Sequence, residues 1–248
     1  MFENKLYTGD CLDLISKLFD DSVDLIITSP PYNVGKDYED NLWKDEKEYL
    51  QFIRKVLKGL YRILKPGRFI CWNICHHSNK NTPIFHAYHM ERAGYKFHDT
   101  IIWQKPDAIS PRFGNTARNP YPFYYFPNNV YEYIFIYQKP GITPKRKNED
   151  LKLDLKWLIS IRSDIWKMKT VSNHKEHPAA FPLKLPLRLI QLYSYPREIV
   201  FDPFCGIGTT LIAAKDLNRI YLGCDRKKKY IQIAERDLKQ EVLQLSKL

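Results

Sequence analysis

Thr28-Ser29-Pro30-Pro31-Tyr32 stands directly after Val23 to Ile27, an apolar run with one acid, Asp24. Two successive prolines fix the chain and remove N–H donors, so carbonyls are left facing outward as acceptors. A base with an exocyclic amino group needs such acceptors. The lone pair of its nitrogen is delocalised into the ring, which makes the nitrogen a weak nucleophile. Ser29 and the Pro30 carbonyl could hold both N–H bonds and turn the lone pair toward an electrophile. Tyr32 offers a face to an extruded base, worth about 1–3 kcal/mol. The plainer alternative is a proline-rich turn with a core tyrosine.

A second constellation lies near the other end of the chain. Ile199-Val200-Phe201 leads into Asp202-Pro203-Phe204-Cys205-Gly206-Ile207-Gly208, followed by a helical stretch from Thr209 and Thr210. Strand, Gly-x-Gly, helix is a nucleotide-binding order, because glycine lets backbone approach a ligand closely. Asp225, at the end of the next strand, could hydrogen-bond a ribose diol. That spacing also suits a dinucleotide enzyme. However, Leu211 stands where the third glycine would be, and Asp202 puts an acid where a pyrophosphate would be repelled. An acid there suits a ligand carrying an ammonium, such as the methionine end of S-adenosylmethionine. No Gly-Lys-Thr follows, so the loop is not a P-loop. Cys71, Cys75, His76 and His77 lack a second ligand pair at zinc spacing, and no metal site is expected.

For strips so far apart in sequence to meet, the fold must bring their strands together. Strands are expected at Val23–Ile27, Arg68–Ile74, His98–Trp103, Tyr131–Tyr137, Ile199–Phe201 and Ile220–Gly223. Helices are expected at Glu46–Leu64, Pro83–Ala93, Pro182–Tyr193, Thr209–Leu217 and from Lys227 onward. Lys65-Pro66-Gly67 reads as a helix stop, and 105–129 as an irregular, proline- and aromatic-rich interruption. Trp157 and Trp166 read as core. This alternation predicts an α/β, doubly wound, mostly parallel sheet. The chain has 248 residues, 44% of them hydrophobic, and a formal net charge of +11. A single domain over 1–248 fits the length, and the basic surplus favours a polyanionic partner, nucleic acid before anionic membrane. The five cysteines are scattered without a secreted-type framework, and no leader or membrane-spanning run is visible; a reduced cytoplasmic location is expected.

Together the motifs resemble those of the β-class S-adenosylmethionine-dependent DNA amino-methyltransferases, in which the catalytic motif comes early and the glycine motif late. Thr28 to Tyr32 resembles motif IV, and Asp202 to Thr210 resembles motif I. His177-Pro178-Ala179-Ala180-Phe181-Pro182 resembles motif X, which closes over the methionine end of the cofactor. Gly9-Asp10-Cys11 resembles motif III, whose acid reaches the adenine amino group, and Asp225 resembles the ribose-binding acid of motif II. The resemblance implies a circularly permuted, Rossmann-like seven-stranded sheet with a small target-recognition insert, for which 105–130 and 141–176 are the candidate segments. It assigns catalysis to Ser29, Pro30, Pro31 and Tyr32. It assigns the cofactor to Asp10, Cys11, Thr28, His177, Pro178, Phe181, Asp202, Phe204, Gly206, Gly208, Thr209, Thr210 and Asp225.

The implied reaction is base flipping and direct, in-line methyl transfer to an amino nitrogen of duplex DNA, in a prokaryotic cytoplasm. A cognate restriction endonuclease and a homodimer are partners the family allows. Ser at the first motif IV position often accompanies cytosine N4 and Asp adenine N6, so cytosine N4 is favoured over adenine N6. Lys36, Arg112, Arg118, Lys145, Arg146 and Lys147 are candidates for DNA contact. A protein-glutamine methyltransferase would carry Asn first and its glycine motif upstream. An idle DNA-binding module would not bind the cofactor.

Overall fold

The computed structural model describes residues 4–32, 43–76, 81–106, 111–145, 151–171 and 181–239. The chain runs β1 (Lys5–Thr8), α1 (Cys11–Lys17), β2 (Val23–Thr28), α2 (Glu46–Ile63), β3 (Leu64–Ile74), α3 (Thr82–Arg92), β4 (Lys96–Gln104), α4 (Pro111–Arg118) and β5 (Tyr131–Gln138). It continues α5 (Leu155–Ser160), β6 (Ile165–Lys167), α6 (Lys184–Tyr193), β7 (Ile199–Asp202), α7 (Thr209–Asp216), β8 (Ile220–Asp225) and α8 (Lys228–Lys239).

These strands form one sheet in the order β1-β8-β7-β2-β3-β5-β4-β6. Its neighbours are parallel except that β5 runs against both β3 and β4. The carboxyl ends of β1, β8, β7, β2, β3 and β4 therefore share one edge with the start of β5. All six residues of β2 are buried. Along that strand Ile26 packs with α1 and α2 while Leu25 and Ile27 face α6 and α7, as period-two alternation between two covered faces requires. α2 is capped by Asp45, whose side chain accepts from Glu48 N at 2.8 Å, and it buries Tyr49, Ile53, Val56, Leu57, Leu60 and Ile63. Each such side chain contributes about 1.5–3 kcal/mol.

The sheet has eight strands rather than the seven expected. The extra one, β6, is three residues pairing parallel with β4, Trp103 opposite Trp166. It is too short to show a periodicity in sequence, yet it seats Trp166 in the core, while Trp157 is only half-buried. Lys65-Pro66-Gly67 does not separate helix from strand either. β3 begins at Leu64, and the proline and glycine form an irregularity in its pairing with β2. Gly67, at φ +75°, lies where a Cβ would come within 2.2 Å of the Ile142 carbonyl oxygen. Within 105–129, α4 replaces part of the expected irregular stretch.

At the edge of the sheet away from these carboxyl ends, the buried carboxylates Asp24 and Glu198 are met by basic side chains. Arg68 donates to both oxygens of Glu198, at 3.0 and 2.5 Å. Asp24 accepts from Lys65 at 2.7 Å and from the backbone N–H of Ile199 at 2.9 Å. No helix among the described residues is long and apolar enough to cross a membrane.

Candidate active site

β7 and β2 lie side by side, Leu25 opposite Val200 and Ile26 opposite Phe201. From β7 the chain turns through α7 to β8, and from β2 it turns through α2 to β3, on the other side. The connections diverge, so a crevice opens above the adjoining strand ends. In doubly wound sheets this topological switch point is where ligands bind. The Ser-Pro-Pro-Tyr strip and the glycine loop leave the sheet at this place.

One hydrogen bond joins them there, and two more brace the same carboxylate. Thr28 Oγ1 donates to Asp202 Oδ1 at 2.6 Å, Thr210 Oγ1 to Asp202 Oδ2 at 2.7 Å, and the Phe204 N–H to Oδ1 at 3.1 Å. Asp202 is 2% exposed and both threonines 0%. Burial pushes the Asp202 carboxyl up to about 6, against the lowering effect of its three donors. The sequence places Asp202, Thr28 and Thr210 against a ligand; in the structure all three are enclosed, Thr28 tying the strip to Asp202 and Thr210 bracing Asp202 from within the glycine segment. Cys11 likewise lies in the core, its thiol pushed far up by burial and by Asp10, so it packs rather than reacts.

The glycine loop closes on β8 and β1. Cys205 N donates to the Cys224 carbonyl at 2.9 Å, Gly206 N to Asp225 Oδ2 at 3.1 Å, and Lys227 N to Asp225 Oδ1 at 2.8 Å. Gly9 N donates to the Asp225 carbonyl at 2.9 Å. Gly208 sits at φ +85°, and a Cβ there would meet Ala234 Cβ at 2.8 Å, so backbone and packing both require glycine. Burial raises the Asp225 carboxyl above its ordinary range. Asp10 accepts from Leu12 N at 2.8 Å and caps α1. Thr209 opens α7 half-exposed, Phe204 is half-buried beside Phe52, and Phe181 is buried. His177 and Pro178 lie outside the described residues.

On the other wall Ser29 is partly exposed, and its Oγ lies 2.7 Å from the Tyr32 hydroxyl. The Tyr32 ring is 8% exposed and packs in the core, not open as the stacking face its sequence suggests. Its hydroxyl meets Glu132 Oε2 at 3.1 Å and Asn73 Nδ2 at 3.0 Å. Asn73 Nδ2 also reaches Ser29 Oγ, at 3.3 Å, and donates to Glu132, whose other oxygen is paired with Lys105. Asn73 Oδ1 is buried with no hydrogen-bond partner among the described residues.

Behind Pro31 runs a chain of buried donors. The Trp72 indole N–H donates to His86 Nδ1 at 2.9 Å, His86 Nε2 meets the Tyr49 hydroxyl at 2.8 Å, and Tyr49 donates to the Pro31 carbonyl at 2.9 Å. Since indole can only donate, Nδ1 accepts and Nε2 carries the proton. Burial lowers His86 to about 3, in keeping with a neutral ring. Sequence reasoning does not single out Asn73, Lys105, Glu132 or His86. For Glu132 a signal exists, since it is the one acid in the apolar strand YEYIFIYQ. Pro30 is buried and Pro31 half-buried.

Of the expected DNA contacts, Arg118 is exposed on α4 and Lys145 is exposed after β5; Arg112 lies on α4. Lys36, Arg146 and Lys147 fall outside the described residues. No group of three or more His, Cys, Asp or Glu among the described residues could hold a metal ion.

Comparison with known proteins agrees with this geometry. Type II methyltransferase M.BglII of Bacillus subtilis is 30% identical over 259 residues, covering 96% of this chain and 69% of its own. Type II methyltransferase M.HinfI of Haemophilus influenzae is 29% identical over 256 residues, with the same coverages of 96% and 69%. The protein TTHA0409 of Thermus thermophilus, solved as a complex with S-adenosyl-L-methionine, superposes with a TM-score of 0.75 at 25% identity, over 95% of this chain and 93% of that one. PvuII DNA methyltransferase, described as cytosine-N4-specific, shares the fold, with a TM-score of 0.75 at 20% identity over 98% and 89%. Residues 23–236 match the family model described as DNA methylase, and the chain belongs to that family of N6- and N4-type DNA methyltransferases.

Proposed function

We propose that this chain transfers a methyl group from S-adenosylmethionine to the exocyclic N4 of a flipped cytosine in duplex DNA. The observation that carries the reading is the Thr28–Asp202 hydrogen bond of 2.6 Å, which holds the Ser29 strip and the glycine loop as two walls of one crevice. The groups around the loop fit the cofactor. Asp10, Asp202 and Asp225 gather there, and no Lys or Arg lies between 202 and 210. A phosphate would be repelled, whereas a ligand with a sulfonium, an ammonium and ribose hydroxyls is matched. Asp225 would take the ribose, Asp10 the adenine amino group, and Gly206, Gly208, Phe204 and Thr209 the loop side. His177, Pro178 and Phe181 would take the methionine end, with Asp202, Thr28 and Thr210 acting from behind. The co-structure of TTHA0409 supports this choice. When bound, the cofactor supplies a methyl that is already electrophilic, so the protein's task is alignment.

Ser29 accepts one N–H of the amino group. The Pro31 carbonyl is held by Tyr49, which leaves the Pro30 carbonyl for the other. Adenine N6 is the second reading. It is favoured by the Glu132 carboxylate close behind Ser29, which brings to the site the kind of acceptor that Asp provides in adenine-type strips.

The insert 105–130 springs from the end of β4 and returns at the start of β5, on the same edge of the sheet as the crevice. Asn129 ties it to the His76 carbonyl at 2.8 Å, and Thr116 clamps the Phe126 N–H at 2.7 Å. Between these clamps Phe123 is 100% exposed at φ +74°, with Tyr121 and Tyr125 also exposed. Aromatic tips beside basic residues suit an opened duplex. Arg112 and Arg118 here, Lys145, Arg146 and Lys147 in the second segment, 141–176, and Lys36 would contact phosphates or base edges.

Labelled cofactor offered with duplex DNA or with protein tests the reading. Label should enter DNA, with DNA affinity falling steeply as salt rises. Label in protein and none in DNA would contradict it.

A further inference from the structure

A serine at the head of the strip creates a difficulty that the structure resolves. A hydroxyl can donate as well as accept, and only an accepting hydroxyl can hold an amine N–H. The proton displaced by methylation must also go somewhere, and an alcohol is too weak a base to keep it. We infer that Glu132 orients Ser29 as an acceptor and receives that proton through Tyr32; this rests on the proposed function.

The hydrogen-bond directions follow from chemistry. A carboxylate only accepts, so the Tyr32 hydroxyl, 3.1 Å from Oε2, donates to Glu132. Its oxygen is then the acceptor for the Ser29 hydroxyl, 2.7 Å away. With its proton turned toward Tyr32, Ser29 Oγ presents lone pairs to the crevice. Asn73 crosses the same three groups and keeps them in register, and Lys105 balances the Glu132 charge. Asp202, the other buried carboxylate near the strip, is already held by Thr28, Thr210 and Phe204 N rather than by Ser29.

Atoms and charges balance. The nitrogen lone pair forms the N–CH3 bond while the S–CH3 bond breaks and leaves its pair on sulfur. The amine N–H proton passes to Ser29 Oγ, the Ser29 proton to Tyr32 Oη, and the Tyr32 proton to Glu132 Oε2. Glu132 ends neutral, Ser29 and Tyr32 are restored, and the sulfonium charge has become the proton on the carboxyl. Solvent then removes that proton.

The test uses Glu132→Gln and Glu132→Ala in the full chain. Glu132→Gln keeps the shape but accepts no proton. Its single-turnover methylation rate should fall by about 10²–10⁴-fold, with cofactor affinity by calorimetry within twofold of the parent. Glu132→Ala leaves room for a small carboxylate. Formate should restore its rate saturably, whereas formamide, equal in size but not basic, should not. A Glu132→Gln rate within threefold of the parent would overturn the inference. So would a folded Glu132→Ala that formate fails to rescue, or that formamide rescues equally. A parent that methylates neither cytosine nor adenine would instead remove the proposed function on which the inference stands.

Discussion

Thr28→Val is the sharpest single perturbation of the latch between the two walls. Valine keeps the shape of threonine and the β propensity of the strand, and removes only the hydroxyl that donates to Asp202 at 2.6 Å. Asp202 is 2% exposed, so water cannot replace the donor. A hydrogen bond to a buried charged group contributes about 2–3 kcal/mol, and one to a neutral carboxyl about 1 kcal/mol. Because the folded Asp202 carboxyl titrates near 6, above its ordinary 3.8, it is charged at pH 8 and mostly protonated at pH 5. A raised folded value means that the strain of the charged form is present above pH 6 and relieved as the pH falls toward 3.8. Losing Thr28 raises the folded value further. The destabilisation by Thr28→Val should thus be about 2–3 kcal/mol at pH 8 and shrink to about 1 kcal/mol at pH 5. Denaturant unfolding of parent and variant at both pH values measures it. An equal penalty at the two pH values, or one below about 0.5 kcal/mol at pH 8, would refute the assignment of the latch to a charged Asp202.

Three further outcomes follow from the same contacts. His86, held at about 3 when folded, takes up its proton only in the unfolded chain as the pH falls below 6.5; relative to His86→Gln, the parent should lose about 2 kcal/mol of stability between pH 8 and pH 5, and parallel pH curves would contradict a neutral buried ring. Arg68→Met removes the buried guanidinium that faces both Glu198 and Asp24; unfolding should become about 3–5 kcal/mol easier, while cofactor affinity of the folded variant, measured by calorimetry, should not change. Tyr32→Phe removes only the hydroxyl between Ser29 and Glu132; the methylation rate should drop by at least about 10²-fold with cofactor affinity intact, and a loss of cofactor binding would make the tyrosine a general support instead.

Much of this architecture is legible along the chain because parallel strands buried on both faces are mostly apolar, as Val23–Ile27 is apart from Asp24, and because prolines and glycines mark the places where strands end. The late glycine loop and the early Pro-Pro-Tyr strip can be paired through their resemblance to a known motif order. What local pattern cannot supply is the identity of partners distant in sequence. Thr28 and Asp202 are 174 residues apart, and only the β2–β7 pairing shows that their side chains touch. The same holds for Glu132 and Tyr32, 100 residues apart, and for Trp72, His86 and Tyr49. β6 escapes because three residues carry no period, and Trp166 signals core without saying which strand it joins. The full burial of Thr28 and Thr210 escapes for a related reason. A motif names residue types near a ligand, but burial decides whether a hydroxyl faces the ligand or the carboxylate behind the loop.

The central claim is that the crevice between β7 and β2 delivers a methyl group to an amino nitrogen of DNA, chosen by Ser29. It is tested most directly by incubating the protein with S-adenosylmethionine and mixed-sequence duplex DNA, then mapping modified bases at single-base resolution. N4-methylcytosine is expected at one recurrent sequence, with loss of that product in Ser29→Ala. N6-methyladenine in its place would contradict the assignment of the base, and DNA without either modification would contradict the account as a whole.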